Sequence, residues 1–440
     1  MASRKGPRRA PAGVRKVFEA TLGQHRLLRG AIPLIASENV TSLTVRSFLT
    51  TDFSHRYAEG KVGERYYQGC QYVDEVEAVA LEAAKRLFRA EHANVQPISG
   101  MNANLAAFGG LAQPGDTLMS LKVSHGGHIS HARFSTAGLR GLKVEYHAFD
   151  PASLSVDADA SAEKIREVRP KVVVLGGSLI LFPHPVRELR EAASEVGARL
   201  MFDGAHVMGL IAGGKFQDPL REGADLLTGS THKTLPGPQG GMILCTREVA
   251  DAVDAGVYPG TTSNHHLHHL AGLAVALEEM RLFGKAYARA IVENAKALAA
   301  ALHEGGMKVL AEHRGFTESH QVAADVSAMG GGTRVAENLE RCDIIVNKNL
   351  LPWDPPGAST DPSGIRIGSQ EVTRLGFGKS EMEALAGLIL RAARGKELAK
   401  VKRDVRELRR PFQRVRYSLD DLYFPRGEAY EWMSKPARPA

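Results

Sequence analysis

The chain has 440 residues, 43% of them hydrophobic, and a formal charge of +7 at neutral pH. That length and composition exclude a disordered or fibrous chain and predict a globular protein with a large core in two domains. Three scattered cysteines (Cys70, Cys245, Cys342) exclude a disulfide framework or a zinc cluster, and no apolar run is long enough to span a bilayer, so a reducing, cytoplasmic setting is expected.

Residues 1–13 are basic and rich in proline and alanine, and are expected to be disordered. Val14, Phe18 and Leu22, with Leu27 less regularly placed, predict an arm helix over 14–28. IPLIASENVTS (32–42) reads as extended and enters a helix after Thr41 or Ser42, both N-cap residue types. RYAEGKVGERYYQGC (56–70) is punctuated by glycine and reads as loop. A helix follows over 73–89. Residues 93–96, 97–100 and 102–111 read as strand, turn and helix, with the turn at a helix N-terminus suited to phosphate. Strands are predicted at 117–121, 142–147 and 172–175 with helices between them, the alternation of a doubly wound sheet. Residues 266–304, rich in alanine and leucine, predict a mostly helical bridge. Residues 307–390 mix strands and helices as a smaller α+β unit, and a helix over 379–394 begins the closing stretch. From Ser418 the chain is aromatic and proline-bearing, and either packs back or stays loose. The lysines and arginines of the first thirty residues and of 396–416 read as solvated helix faces or free termini, so nucleic acid is not an expected partner.

The stretch 199–244 organises the rest. Residues 200–202 read as a buried strand running into Asp203, and residues 224–227 as a second strand running into Ser230-Thr231-His232-Lys233. In open α/β sheets, ligands sit beyond the carboxyl ends of the strands. Pyridoxal 5'-phosphate needs an amine for its Schiff base and an acid beside its pyridinium nitrogen. Lys233 and Asp203 are placed to supply them. Alone, each would read as an ordinary surface residue; Asp-Gly-Ala-His followed by Ser-Thr-His-Lys makes the pair specific.

These motifs stand in order with LIASEN, RYAEG, RYYQGC, NVQPISG, HGGHISH, VNKNLLPWDP and GIRIG. Over roughly residues 30–395 the chain resembles the serine hydroxymethyltransferase family, and GGSLILFPHP, GPQGG, SNHHLHH and GSQEVTRLGF are similar to its archaeal-type branch. The resemblance implies an α/β fold of the fold type I (aspartate aminotransferase-like) class of pyridoxal phosphate enzymes. In that class a mostly parallel sheet in a large domain is joined to a smaller α+β C-terminal domain. The boundaries expected here are a basic arm and helix (1–55), a large cofactor-binding domain (56–275), and a bridging helix with the small domain (276–440). A homodimer or homotetramer with active sites shared between subunits is implied, with no membrane partner.

By the same resemblance, Lys233 carries the cofactor, Asp203 keeps its ring nitrogen protonated, and His128 stacks on the ring. Ser178 and His206 surround the ring and its 3-oxygen, while Ser99, Gly100 and His232 lie at the phosphate. Arg366 matches the clamp for the substrate α-carboxylate, a planar two-pronged donor for a planar acceptor. Ser37 and Tyr67 match substrate-contacting positions. Tyr57 and Glu59 ride on a loop that reaches the neighbouring subunit's site, where Glu59 resembles the acid/base carboxylate. Val123, Gly127, His128, Ile129 and Asn349 match positions along the folate pocket. The implied reaction cleaves the Cα–Cβ bond of L-serine to give glycine, and passes the one-carbon unit to tetrahydrofolate or a related pterin.

Four departures from the family pattern stand out. Met101 replaces a second phosphate-cup serine, Gln239 replaces an arginine, and Ser263-Asn264 replaces a Gly-Gly pair. Ile180 stands where the archaeal-type branch tends to have tyrosine, which keeps open a threonine transaldolase or β-hydroxy amino acid aldolase using the same bond cleavage without folate. A non-catalytic RNA-binding scaffold has no need of Lys233, Asp203, His128, Glu59 and Arg366 together. His265 and His269 are spaced to share a helix face, but no third ligand accompanies them and no metal is expected.

Overall fold

The computed structural model describes residues 10–355 and 357–421. Seven strands form the main sheet: β1 (His92–Asn94), β2 (Thr117–Ser120), β3 (Lys143–Tyr146), β4 (Val172–Gly176), β5 (Arg199–Asp203), β6 (Leu226–Ser230) and β7 (Gly241–Cys245). Their spatial order is β1-β7-β6-β5-β4-β2-β3. All run parallel except β7, which is antiparallel to both β1 and β6.

The central strands are short, continuous apolar runs because both faces of the sheet are covered. The two-residue period sorts their side chains. Val173, Leu175, Leu200 and Phe202 join one core cluster with the helix α3 (Gln71–Phe88). Val172, Val174 and Met201 join another with α4 (Gly100–Leu111) and the helix Ala250–Val257.

A 38-residue helix, α5 (Leu267–Glu304), links this sheet to a second core. Its Leu273, Leu277 and Met280 pack with the first sheet, and its Ala295, Leu298 and Leu302 with the second. The second core lies under a four-stranded antiparallel sheet of β8 (Lys308–Val309), β9 (Gln321–Asp325), β10 (Asn347–Asn349) and β11 (Gly364–Gly368), in the order β8-β9-β11-β10. Ile365 and Ile367 of β11 sit in that core. Strand alternation therefore turns Arg366 to the opposite face.

The arm helix, α1 (Ala12–Gly30), buries none of its residues in a single chain, and α2 (Leu43–Ser47) is capped by the Ser42 hydroxyl. Several expectations shift. Residues 56–70 contain a short ladder, Gly60–Lys61 with Glu64–Arg65. The strand expected at 224–227 instead spans β6, through Ser230, and α4 begins at Gly100 rather than Asn102. The basic run 396–416 contains a further helix, α6 (Leu398–Arg409), which buries Val401, Val405 and Arg409. His265 and His269 do not share a helix, because α5 starts only at Leu267.

The chain after Arg416 packs back as far as it is described. The Tyr417 carbonyl accepts from Arg374 (2.9 Å), and Asp420 accepts from the backbone N–H groups of Leu43 and Thr44 (2.9 Å each). The basic residues 1–9 and residues 422–440 lie outside the described part. No helix among the described residues is long and apolar enough to cross a membrane.

Candidate active site

The site lies where β4, β5 and β6 end. Asp203 is the last residue of β5, in register with Gly176 of β4 and Thr228 of β6. It is 2% exposed and fully engaged. Its Oδ2 accepts from Asn104 Nδ2 (2.8 Å) and pairs with His131 Nε2 (2.9 Å), and its Oδ1 accepts from the Ala205 N–H (3.0 Å). Burial alone would raise the Asp203 pKa, but the bonds from His131 and Asn104 outweigh it and hold the carboxyl well below the usual range. Asn104 is fixed in turn by the Thr228 hydroxyl, which donates to its Oδ1 (2.7 Å).

Lys233 follows β6 and is 8% exposed. Its carbonyl accepts from Asn39 Nδ2 (2.6 Å), whereas its amine makes no hydrogen bond among the described residues. Burial draws the amine pKa down from 10.5 to about 8; Asp203 opposes the shift and Arg366 adds to it. Lys233 opens on a cleft of about 590 Å³ lined also by Ser37, Asn39 and His232.

Arg366 is 8% exposed, and no acidic side chain pairs with it among the described residues. Its Nε donates to Asn347 Oδ1 (3.1 Å) and its Nη1 to the Ser178 carbonyl (2.7 Å). Burial lowers its pKa from 12.5 to about 10. A buried guanidinium without an anion is a waiting partner for a carboxylate.

Three histidines around this centre, His128, His206 and His232, are held in the neutral form near pH 7. Burial is the main cause in each case: it lowers His128 and His232 to about 4 and His206 well below its ordinary value. His128 Nδ1 pairs with the Ser130 hydroxyl (2.7 Å), and its ring lies edge-on to that of His131 (6.0 Å). Gln321 Nε2 reaches both His206 Nδ1 (2.9 Å) and the Ser178 carbonyl (2.9 Å), tying the main sheet to the small one.

At the head of α4, Ser99 is the N-cap and its hydroxyl oxygen accepts from the Asn102 N–H (3.0 Å). A Cβ on Gly100 would stand 2.3 Å from Ser230 Oγ, so the turn has room only for glycine. These groups fit pyridoxal 5'-phosphate: helix-end N–H groups for a phosphate, a fixed anionic carboxylate for a ring nitrogen, and an unbonded buried amine.

Other expected residues lie apart. Tyr57 and Tyr67 meet with tilted rings, centroids 5.5 Å apart and planes at 55°, and the charge of Glu59 raises the Tyr67 phenol. Among the described residues, no hydrogen bond, ion pair or ring contact joins these three to Lys233, Asp203 or Arg366. Val123, Gly127 and Ile129 share the loop that carries His128, whereas Asn349 is on β10 and its Nδ2 donates to the Leu350 carbonyl (2.6 Å). Ile180 is fully buried in the main core and its N–H donates to Gln321 Oε1 (2.7 Å), whereas Met101 is exposed. His265 faces Glu77 (3.3 Å) and His269 Nδ1 meets the Gln239 carbonyl (2.6 Å).

The model of the serine hydroxymethyltransferase family matches residues 14–389. The chain belongs to the serine hydroxymethyltransferase family. It is 59% identical to serine hydroxymethyltransferase of Methanopyrus kandleri, over 92% of this chain and 95% of the relative. The corresponding protein of Methanocella arvoryzae is 56% identical over 92% and 96%, and that of Archaeoglobus fulgidus 54% identical over 94% of each chain. The family has the fold type I architecture of pyridoxal phosphate enzymes, and its members use that cofactor with tetrahydrofolate.

His131, Asn104 and Gln321 are site residues that sequence reasoning did not single out. HGGHISH contains His131 as its last residue, so a signal was present. Asn104 and Gln321 carry none, since each acquires its role only when α4 or β9 meets the ends of the main strands.

Proposed function

We propose that this chain interconverts L-serine and glycine, passing the one-carbon unit to tetrahydrofolate or a related pterin, through the residues assembled around Lys233. The observation that carries this reading is the trio of Lys233, Asp203 and Arg366: a buried amine titrating near 8, a fixed anion, and a buried cation with no acidic partner among the described residues. When bound, pyridoxal 5'-phosphate withdraws electrons from the substrate α-carbon, the chemistry that Cα–Cβ cleavage requires.

The chain's own groups do the rest. Near neutral pH a sizeable fraction of Lys233 is free amine, ready to hold the cofactor. Asp203, kept ionised by His131 and Asn104, holds a proton on the ring nitrogen. The Ser99 hydroxyl and the first N–H groups of α4 bind the phosphate. His128 covers the ring as a neutral imidazole and keeps water from that face. Arg366 binds the α-carboxylate and so orients the bond to be broken, and Ser37, which lines the Lys233 cleft, contacts the substrate as well. Glu59 moves the hydroxyl proton, assisted by Tyr57 and Tyr67. With the division at 56–275 and 276–440, the large domain supplies Lys233 and the small one Arg366.

Tyr57, Glu59 and Tyr67 form their own cluster away from Lys233 in the same chain, which supports a site completed by a second copy of the chain. Mixing two inactive variants, Lys233→Ala and Glu59→Gln, tests this. Random pairing leaves about a quarter of the sites intact, so activity should return toward that fraction. Mixtures that stay inactive, although the subunits are shown to exchange, would place Glu59 and Lys233 in the same chain's site and overturn the shared arrangement.

A further inference from the structure

Residues 56–60 carry Tyr57 and Glu59, and two side chains from elsewhere grip their backbone. Asn264, just ahead of α5, accepts from the Ala58 N–H through Oδ1 (3.0 Å) and donates to the Arg56 carbonyl through Nδ2 (3.0 Å). Those two bonds bracket Tyr57. Arg65 donates from Nη1 to the carbonyls of Ala58 (2.8 Å) and Gly60 (2.7 Å). Those two bracket Glu59.

Arg65 is itself immobilised. Its side chain is 3% exposed, its Nε donates to Asp74 Oδ1 (2.7 Å), and its Nη2 donates to Glu77 Oε2 (2.5 Å). Gln96 Nε2 reinforces the anchor, reaching Glu77 Oε1 (2.7 Å) and the Gly60 carbonyl (3.0 Å). His265 Nε2 approaches the same Glu77 Oε2 (3.3 Å). Asp74 and Glu77 belong to α3, so the loop is tied to a rigid helix of the main core.

A buried Arg–Glu pair is often only structural. Here the guanidinium spends its remaining donors on the two carbonyls that flank one carboxylate. Asn264 stands where the family resemblance expects glycine, and glycine has no side chain with which to make either bond. We propose that Arg65 and Asn264 are positioning residues, a two-point clamp that fixes the backbone on either side of Glu59 and Tyr57 and so sets the direction in which both side chains are presented. The proposal rests on the roles given above to Glu59 and Tyr57. Its physical basis is that proton transfer needs hydrogen-bond reach, and a misplacement of about 1 Å costs on the order of 100-fold in rate.

The test uses the full-length, cofactor-loaded enzyme and the variants Asn264→Ala and Arg65→Lys. A lysine ammonium is a point donor and does not span the four acceptors that the guanidinium joins. Each variant should lower kcat for serine by roughly 10- to 100-fold, with the KM for serine and the cofactor absorbance unchanged. A purely structural role would instead lower the unfolding midpoint and leave turnover per folded molecule intact, and that result would overturn the proposal. Asn264 is only half-buried, so its variant keeps the test open if Arg65→Lys fails to fold.

A double-mutant cycle then separates the clamp from the reading beneath it. In a Glu59→Asp background, which keeps a carboxylate and a measurable turnover, Arg65→Lys should cost less kcat than in the parent, because both changes act through the same group. Independent, multiplying losses would overturn the clamp while leaving Glu59 assigned. Undiminished turnover in Glu59→Gln alone would instead overturn the assignment of Glu59, and the clamp's catalytic meaning with it.

Discussion

Replacing Arg366 by methionine should weaken serine binding sharply while leaving the fold about as stable as before. The guanidinium is buried with no acidic partner among the described residues, and its pKa falls from 12.5 to about 10 through desolvation. At about 1.4 kcal/mol per pH unit, that fall corresponds to roughly 3.5 kcal/mol of penalty in the folded chain. The sign follows from the unfolded chain holding the proton more tightly than the folded one. The penalty is therefore constant below pH 10 and is relieved as pH rises from 10 through 12.5. Methionine removes the penalty, leaves Asn347 Oδ1 without its donor at about 1–3 kcal/mol, and takes one of two bonds from the Ser178 carbonyl, which keeps Gln321, at about 1 kcal/mol. The two effects nearly cancel, giving a net change within about 1.5 kcal/mol. Serine loses its charged partner, which costs about 2–5 kcal/mol. That is roughly 30-fold to several thousandfold in affinity. Urea unfolding gives the stability, and a serine titration followed by cofactor absorbance gives the affinity. Serine affinity within about threefold of the parent, or destabilisation beyond about 3 kcal/mol, would refute the reasoning.

Lys233→Ala should abolish serine turnover. In the parent chain, cofactor capture by the stripped protein should accelerate as pH rises through about 8 rather than 10.5, since the free amine is the reacting form, and stopped-flow absorbance reads this directly. Asp203→Asn should flatten the acid limb of stability. The folded pKa of Asp203 is depressed, so its contribution is complete above the ordinary 3.8 and is lost as pH falls from there through the folded value. Urea midpoints of the two proteins should therefore differ more at pH 7 than at pH 3. Gly100→Ala places a Cβ where Ser230 Oγ stands, 2.3 Å away, and should weaken cofactor affinity by about tenfold or more. Equilibrium dialysis checks it, and unchanged affinity would remove the head of α4 from the phosphate site.

Local sequence was enough to place Asp203 and Lys233, because each follows a short apolar strand and the ends of parallel strands define the site. Arg366 was legible for the same reason: isoleucines on both sides mark a buried strand, and alternation turns the arginine away from that core. The closing basic run was harder. Its lysines and arginines hid the Val401 and Val405 face that makes it a helix. Asn104, Gln321, Arg65 and Asn264 share a different obstacle. Each is a polar residue whose side chain finds its meaning in partners between 5 and 208 positions away, such as Gly60 for Arg65 and Arg56 for Asn264. Spacing along the chain carries no trace of such contacts. The histidines near 265–269 mislead in the same way, since the helix begins two residues after His265 and the ring turns to Glu77 instead.

The central claim is that the Lys233 site transfers a one-carbon unit from serine to a pterin. Glycine release from L-serine and from L-threonine, with pyridoxal 5'-phosphate added and with or without tetrahydrofolate or a related pterin, tests it most directly. Serine turnover that rises strongly with the pterin is the predicted result. Rapid threonine cleavage indifferent to every pterin, with serine turned over slowly throughout, would contradict it and point to an aldolase or transaldolase.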